Sequence, residues 1–445
     1  SMGRKLLCWS RNWKGSMLET LEHVDWNGDL ASNADGTRNS AQMPVYHGHK
    51  NLNGWTLECL GTSDLAKADH PLVARWQRLS RDGLQWPGSA YCDWNEIARN
   101  RQDMVLASLH RSGRLVCMIA FEAKSGVLSR HRLTANLHSI VPYAACVCTE
   151  ALKVCWLEDL KLTVLGAGYS SVQARGLPVH TVDDGNGQMG MAKMVTNVLE
   201  VQRGGGDGWM KLSKNRRRSL RVAKRKLEEV GPVETHLIYA DHASFELHFA
   251  QILAWKRAWL DKNALWGGAV RGPLFEGFSK ARQASGDRSL VMHILTVNGR
   301  PISYMLLAVP LRAPAGANTR RQGDDLSGGH IDDALMASAL MAGHDDDFVS
   351  ASPATLHYGL ILIGDGLPKG VSSVDLLPNH ANYKSAYGAQ PHGLGSVVAG
   401  RGFTGQLTAQ VIARQPRARI RLALEALPSP IRRVLVRIMS RLKRY

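Results

Sequence analysis

The feature that most constrains this chain is an internal echo. VLASLHRSGRLVCMIAF (Val105 to Phe121) and VMHILTVNGRPISYMLLAV (Val291 to Val309) are each two apolar runs joined by Ser-Gly-Arg or Asn-Gly-Arg. Such a link predicts a hairpin, because a type I′ turn needs positive φ at both central residues. Each hairpin follows a Trp- and Leu-rich helical stretch, HPLVARWQRLSRDGL or FELHFAQILAWKRAWL. Each of those follows a short strand, WTLECLG or VETHLIYA. Strand, helix and hairpin therefore occur twice in the same order, which predicts an α/β fold built from a repeated mixed sheet.

The second half continues the pattern. ALMASALMA (Ala334 to Ala342) reads as a strand, ASPATLHYGLILIGDGL (Ala351 to Leu367) as a helix and VSSVDLL (Val371 to Leu377) as a strand, and a helix containing ANYKSAYGA is expected after it. Ser352 is placed as the N-cap and Pro353 as the first helical residue, leaving the N–H groups of Ala354, Thr355 and Leu356 to face outward. Free amides at the positive end of a helix suit a pyrophosphate.

Length and composition set the scale. The 445 residues, 44% of them hydrophobic, have room for two or three domains with buried cores. No charged, apolar and small-residue succession of a signal peptide opens the sequence, and no apolar window of about eighteen residues occurs, so a cytoplasmic protein is expected. Seven cysteines form no regular framework, which fits a reducing compartment. Cys146, Cys148 and Cys155 lack zinc spacing and are expected in buried strands. No metal is expected; the acidic run His344 to Asp347 reads as a turn. Residues 1–50 are rich in Gly, Asn, Asp and Ser and read as a flexible leader; 182–190 and 316–333 read as loops.

The net charge of +17 calls for an anionic partner. One basic cluster, KLSKNRRRSLRVAKRKLEE (Lys211 to Glu229), reads as a helix; the other is the tail 414–445. Within that tail, Ile431, Val434, Leu435, Ile438 and Leu442 recur at helical spacing between arginines. This basic amphipathic pattern over 431–445 suits an anionic membrane surface, placing the protein peripherally on the inner face of the cytoplasmic membrane. Aromatics do not interleave with either basic run, so no specific nucleic acid is expected.

The phrases SKNRRRSLRVAKRKLEEVGPVE, LTVNGRPISYMLLAV, AGHDDDFVSASPATLHYGLI and VDLLPNHANYKSAYGA resemble, in this order, the GNAT acyltransferase superfamily. They are most similar to its bacterial double-domain CelD-like members, also described as cellulose-biosynthesis or Fem-like proteins. The resemblance runs roughly from Trp55 to Gln415 and is strongest after Lys211. It implies two tandem GNAT-like domains, each a mixed, mostly antiparallel sheet flanked by helices: 51–205, expected to be degenerate, and 206–413, expected to be catalytic. Three positions depart from the family pattern. Ala354 stands where glycine is usual, PNHAN lacks a glycine, and Tyr387 replaces a tryptophan.

What the resemblance implies for chemistry is transfer of an acyl group from acyl-CoA to an amine or hydroxyl of a lipid base, sugar or envelope polysaccharide precursor. A Fem-like transfer from aminoacyl-tRNA and a non-catalytic, membrane-docked scaffold of a polysaccharide synthesis complex are the alternatives. In the superfamily the helix after the fourth strand holds CoA, which here assigns Ser352, Ala354, Thr355 and Leu356 to the donor. Acyl transfer needs a deprotonated nucleophile, donors for the oxyanion and a proton for the thiolate. Asp375 is the candidate base or orienting carboxylate, Tyr383 the proton donor, Lys384 the stabilising cation and His357 a spare base. Arg216, Arg217 and Arg221 are candidates for an acidic acceptor or a CoA phosphate. No triad for a covalent intermediate is visible.

Overall fold

Both expected turns form. Ser112 and Gly113 have φ of 48° and 74°, and Asn298 and Gly299 have φ of 50° and 74°, so each pair has the positive φ values that a two-residue hairpin link requires. The computed structural model describes residues 53–413 and residue 435. Within that range it omits 66, 68, 100, 102, 125–130, 138–140, 180–193, 203–208, 264–269, 271–272, 285–287, 311–334 and 379–383. The leader, both loops named above and the tail other than residue 435 lie outside the described residues.

The first half of the chain supplies β1 (Trp55–Leu60), α1 (Thr62–Leu65), α2 (Pro71–Asp82), α3 (Trp94–Ala98), β2 (Met104–Arg111) and β3 (Arg114–Lys124). It continues with β4 (Arg132–Thr134), β5 (Cys146–Cys148), α4 (Val154–Gly166), β6 (Ser171–Pro178) and β7 (Met194–Glu200). The second half supplies α5 (Lys214–Glu228), β8 (Val233–Tyr239), α6 (Phe245–Lys262), α7 (Pro273–Ala284), β9 (Leu290–Val297) and β10 (Arg300–Ala308). Then come β11 (Leu335–His344), α8 (Pro353–Leu362), β12 (Val371–Asp375), β13 (Gln390–Gly400) and α9 (Gly402–Ala413).

All thirteen strands join one mixed sheet in the order β1-β2-β3-β4-β6-β13-β7-β12-β11-β10-β9-β8, with β5 on β3. Read outward from its centre, the order is mirrored: β13, β6, β4, β3, β2, β1 on one side match β7, β12, β11, β10, β9, β8 on the other. Strand directions match too, since β4 with β6 and β11 with β12 are parallel while their neighbours are antiparallel. The repeat read from the hairpins is thus a repeat of the sheet.

The sheet halves do not coincide with the chain halves. β7 pairs with β12, and β13 pairs with β6 along seven residues, so each half of the chain lends its last strand to the other. The expected boundary at 205/206 is spanned by three ladders of the sheet, β6 with β13, β13 with β7 and β7 with β12. Side chains cross it as well: Trp55, Trp76 and Phe121 share a core with Phe245, Phe249 and Tyr304. Arg282 of α7, almost wholly buried, donates to Glu96 of α3 at 2.5 Å and to the Ala90 carbonyl at 2.8 Å. Removing one member of such a pair strands the other charge, which costs about 3–5 kcal/mol.

The basic helix α5 shows how charge and packing divide one element. Ser213 caps it by accepting from the Arg216 N–H, and Leu220, Ala223 and Leu227 form its buried stripe. Each leucine so buried contributes about 1.5–3 kcal/mol. Leu220 packs where α8 has Gly359: a β-carbon there would lie 2.3 Å from Leu220 Cδ2. The absence of a side chain lets the two helices approach, and Trp209 Nε1 donates to the Gly359 carbonyl at 2.8 Å beside the crossing.

One expected element differs. Ser385–Tyr387 forms a short 3-10 turn rather than a helix, closed by Gly388 at φ 83°. Lys384 and Tyr387 are both buried there, so the segment is held by its side chains rather than by a helical ladder. The cysteine expectation divides by position: Cys146 and Cys148 are buried in β5, whereas Cys155 lies exposed on α4.

Candidate active site

The parallel ladder between β11 and β12 ends at Ser338 and Asp375. β11 runs on to His344 with β10 beside it and, among the described residues, no strand on its other edge. At this free end lies a cavity of about 170 Å³, lined by Trp255, Lys256 and Trp259 of α6, Ser303 and Met305 of β10, Ala342 to His344 of β11, and Ala354, His357 and Tyr358 of α8, with Asp346 at the turn between. The volume admits the reacting end of a substrate rather than a whole cofactor. Gly343 lets α6 close over the strand, since a β-carbon there would stand 3.3 Å from Ile252 Cγ1. Arg300, just after the hairpin turn, pairs with Asp345 at 2.5 Å and Asp347 at 2.9 Å, which ties down the segment leading into α8.

The start of α8 corrects the expected cap. Ser352 is left-handed at φ 55°, and its side chain makes no capping bond. Its carbonyl accepts the Thr355 and Leu356 N–H groups at 3.0 and 3.3 Å, and the Leu356 side chain is core. Of the three amides expected to be free, only that of Ala354 has no partner among the described residues, and Ala354 lines the cavity. Lys256 faces the same space and has no carboxylate within ion-pair distance among the described residues. Its ammonium rests on the Trp259 ring at 4.3 Å, and burial lowers its pKa. Asp346, the acid nearest by lining, is paired with Lys262 at 3.1 Å. The site therefore offers one uncompensated cation and one free backbone donor.

Asp375 and Lys384 sit elsewhere. Asp375 is fully buried at the seam between the sheet halves, where it accepts from Tyr143 Oη at 2.5 Å, the Leu377 N–H at 3.0 Å, Ser338 Oγ at 3.4 Å, and Thr196 Oγ1. Burial raises its pKa to about 6 despite these donors, and pushes the Tyr143 hydroxyl far above its usual range. Lys384 donates to the Leu377 carbonyl at 2.6 Å and to that of Leu376; desolvation lowers its pKa to about 8, with Asp375 opposing. Both groups are buried and neither lines the cavity; in the described residues they form a buried clasp. Tyr383 lies outside the described residues.

The basic residues of α5 separate. Arg216 stacks on Tyr387 at 4.6 Å, and Tyr387 donates to the Thr355 carbonyl at 3.1 Å, linking α5 to the first turn of α8. Arg217 donates to Met210 Sδ at 3.0 Å, and Arg221 is exposed.

Among the described residues, His357 is the one predicted catalytic side chain that lines the cavity. Its Nδ1 meets Ser303 Oγ at 2.8 Å and its Nε2 meets His293 Nδ1 at 2.6 Å, while His293 Nε2 reaches the Asp365 carbonyl at 2.8 Å. Burial lowers both imidazoles, His357 well below the ordinary histidine value. Ser303, His293, Lys256 and Trp259 escape sequence reasoning because they come from β10, β9 and α6, far from α8 in the chain. The echo placed those elements in one sheet, but nothing in it says which strand residues face α8.

Comparison with known proteins bears on this region. Residues 214–309 match the family model described as an acetyltransferase (GNAT) domain. The matched segment contains α5, α6, β9 and β10, and with them five of the twelve residues that line the cavity. No curated protein matches the sequence significantly. Among solved structures, FemX is similar at 9% identity over 80% of this chain and 100% of that one, TM-score 0.48. A tandem GNAT protein from the clavulanic acid biosynthesis pathway is similar at 10% identity over 78% and 99%, TM-score 0.36. The C-terminal DUF2156 domain of an Agrobacterium fabrum protein described as a lysylphosphatidylglycerol synthetase is similar at 11% identity over 79% and 96%, TM-score 0.43. Among the described residues, no helix is long and apolar enough to cross a membrane, and no group of three or more His, Cys, Asp or Glu side chains is placed to hold a metal ion.

Proposed function

We propose that the protein transfers an acyl group from an acyl-CoA thioester to an amine or hydroxyl of a lipid base, sugar or envelope polysaccharide precursor, and that the cavity at the free end of β11 is the reaction chamber. The observation that carries this reading is the pairing of that open strand end with the start of α8, where an unpartnered Ala354 N–H and an unneutralised Lys256 face one space. Together they suit an anionic group of the donor, and the strand edge beyond Ser338 offers backbone N–H groups to a thioester carbonyl. The acceptor attacks that carbonyl, the new C–N or C–O bond forms, and the C–S bond breaks. Tyr383 is the proposed proton donor to the departing thiolate. Arg216, Arg217 and Arg221 supply positive potential along α5, and 431–445 is proposed to hold the protein at an anionic membrane surface carrying the acceptor.

The second sheet half is the proposed catalytic one. In the first half the matching opening between β4 and β6 is bridged: Asn136 accepts from the Arg175 N–H at 3.0 Å and donates to the Arg175 carbonyl at 3.1 Å. A side chain there takes the place that a thioester would need.

Thermal-shift measurement with CoA thioesters from acetyl to palmitoyl tests the reading, followed by mass spectrometry of products formed from cell lipid and sugar extracts. Stabilisation by at least one thioester is expected, and Lys256→Met weakens its binding by about 10-fold or more, the worth of one charge-assisted hydrogen bond. No shift with any thioester, or turnover only with aminoacyl-tRNA, would replace the donor.

A further inference from the structure

We infer that Ser303, His357 and His293 form a proton wire that takes the acceptor's proton from the cavity and carries it along the α8 face of the sheet to His293, beside the turn at Asp365. This rests on the acyl-transfer reading and adds the group that deprotonates the nucleophile.

Bond geometry determines the direction. A backbone carbonyl can only accept, so His293 Nε2 carries the hydrogen shared with Asp365. Both rings are held neutral by burial, hence His293 Nδ1 is the acceptor and His357 Nε2 the donor across their 2.6 Å contact. His357 Nδ1 is then a bare lone pair, and the Ser303 hydroxyl points its one hydrogen at it over 2.8 Å. The Gly343 carbonyl, at 3.2 Å from the same oxygen, is the poorer partner. Ser303 and His357 both line the cavity; His293 does not.

Electrostatics give the wire its sense. Besides burial, a protonated His293 disfavours a proton on His357. His293 feels burial and His236 of β8 in that same sense, but the Asp365 carbonyl and carboxylate favour its charged form. Lys256, facing the same cavity, adds positive potential at the wire's entrance. A proton entering at Ser303 therefore moves downhill toward His293.

Each step balances. As the acceptor's nitrogen or oxygen bonds to the thioester carbon, its proton passes to Ser303 Oγ and the serine proton to His357 Nδ1. The His357 Nε2 proton passes to His293 Nδ1, leaving an imidazolium whose Nε2–H rests on Asp365. The C–S electrons leave with the thiolate, and before the next cycle the relay runs back: His293 Nδ1 returns its extra proton to His357 Nε2, and the His357 Nδ1 proton passes through Ser303 to water in the cavity, which restores both Nε2–H tautomers. Ser303 and His357 are catalytic residues in this scheme, and His293 is a positioning residue.

Nitrogen-15 NMR of histidine-labelled protein reads the wire without substrate. Both rings are expected neutral at pH 7, each protonated at Nε2, with a low-field N–H proton that disappears in His293→Gln. An Nδ1-protonated ring at either position, or a charged one, overturns the wire. Kinetics supply the second test, with any thioester that the unaltered protein consumes. Ser303→Ala and His293→Gln should each lower kcat by about 10-fold or more, within the range for general-base catalysis, while donor KM stays within about twofold. The acid limb of the pH–rate profile, below the usual histidine range in the unaltered protein, moves upward in His293→Gln because one positive neighbour of His357 is gone. Unchanged kcat in folded variants of a protein that does turn over sinks the wire alone; no turnover of any thioester by the unaltered protein sinks the acyl-transfer reading beneath it.

Discussion

Asp375 shows how a residue can be conspicuous in sequence and still act through burial. It was legible as a lone carboxylate ending an apolar strand, a position that reads as catalytic in an acyltransferase. Its partners Tyr143 and Thr196 lie about half the chain away and carry no local signal, so its clasp role was not legible. Asp375→Ala removes the acceptor of four donors, three of them side-chain hydroxyls. A loss of about 3–5 kcal/mol in urea unfolding is expected, since each stranded buried donor costs about 1–3 kcal/mol. Asp375→Asn isolates the charge. The folded pKa of about 6 lies above the ordinary 3.8, so the folded state binds this proton more tightly. Its ionised form is therefore penalised above pH 6, and that penalty is relieved as pH falls through 6 toward 4. The stability difference between the unaltered protein and the Asn variant should shift by about 2 kcal/mol in favour of the unaltered protein between pH 7 and pH 4. His293 and His357 act in the reverse sense in both proteins: unfolded histidines protonate first, so stability is lost as pH falls below about 6.5. The paired comparison cancels that loss.

At the scale of elements, hairpins were the most legible feature and helix starts the least. Asn298-Gly299 declares its turn because few other pairs tolerate positive φ twice. Ser352-Pro353 reads as a cap on local preference, yet Ser352 also caps the C-terminal end of a 3-10 turn from Asp346 to Ala351, and that turn sets its backbone. The crossing of α5 on α8 was likewise hidden, because Gly359 reads as a helix weakness until Leu220 is seen against it. Gly359→Val should lower stability by about 1–3 kcal/mol, the usual cost of overpacking. Leu220→Ala alone also destabilises by opening a cavity, but the pair should recover part of the Gly359→Val loss, because the space removed from one helix accommodates the methyls added to the other. Strict additivity in a double-mutant cycle would place Leu220 and Gly359 in separate environments. Since α5 also carries Arg216 to Tyr387, the Val variant should weaken thioester binding without touching a cavity residue.

The molecule as a whole rests on the exchange of two strands, which no local pattern announces. The order strand, helix, hairpin predicts two similar halves; it leaves open which sheet the final strand of each half joins. A strand pairs wherever its apolar face and edge are satisfied, and β7 and β13 each find that edge across the seam. Co-expression of 51–205 and 206–413 as separate chains tests the consequence. Each fragment alone lacks the strand that covers its partner edge, β13 for β6 and β7 for β12, and exposes the core that Trp55 and Phe249 share. Neither should be monomeric and cooperatively folded by itself. Together they should form a 1:1 complex that elutes as one species and unfolds in a single transition, because the exchanged strands, the Arg282 to Glu96 pair and the Asp375 clasp all span the cut. Two independently folded fragments would show instead that each half closes its own sheet in solution.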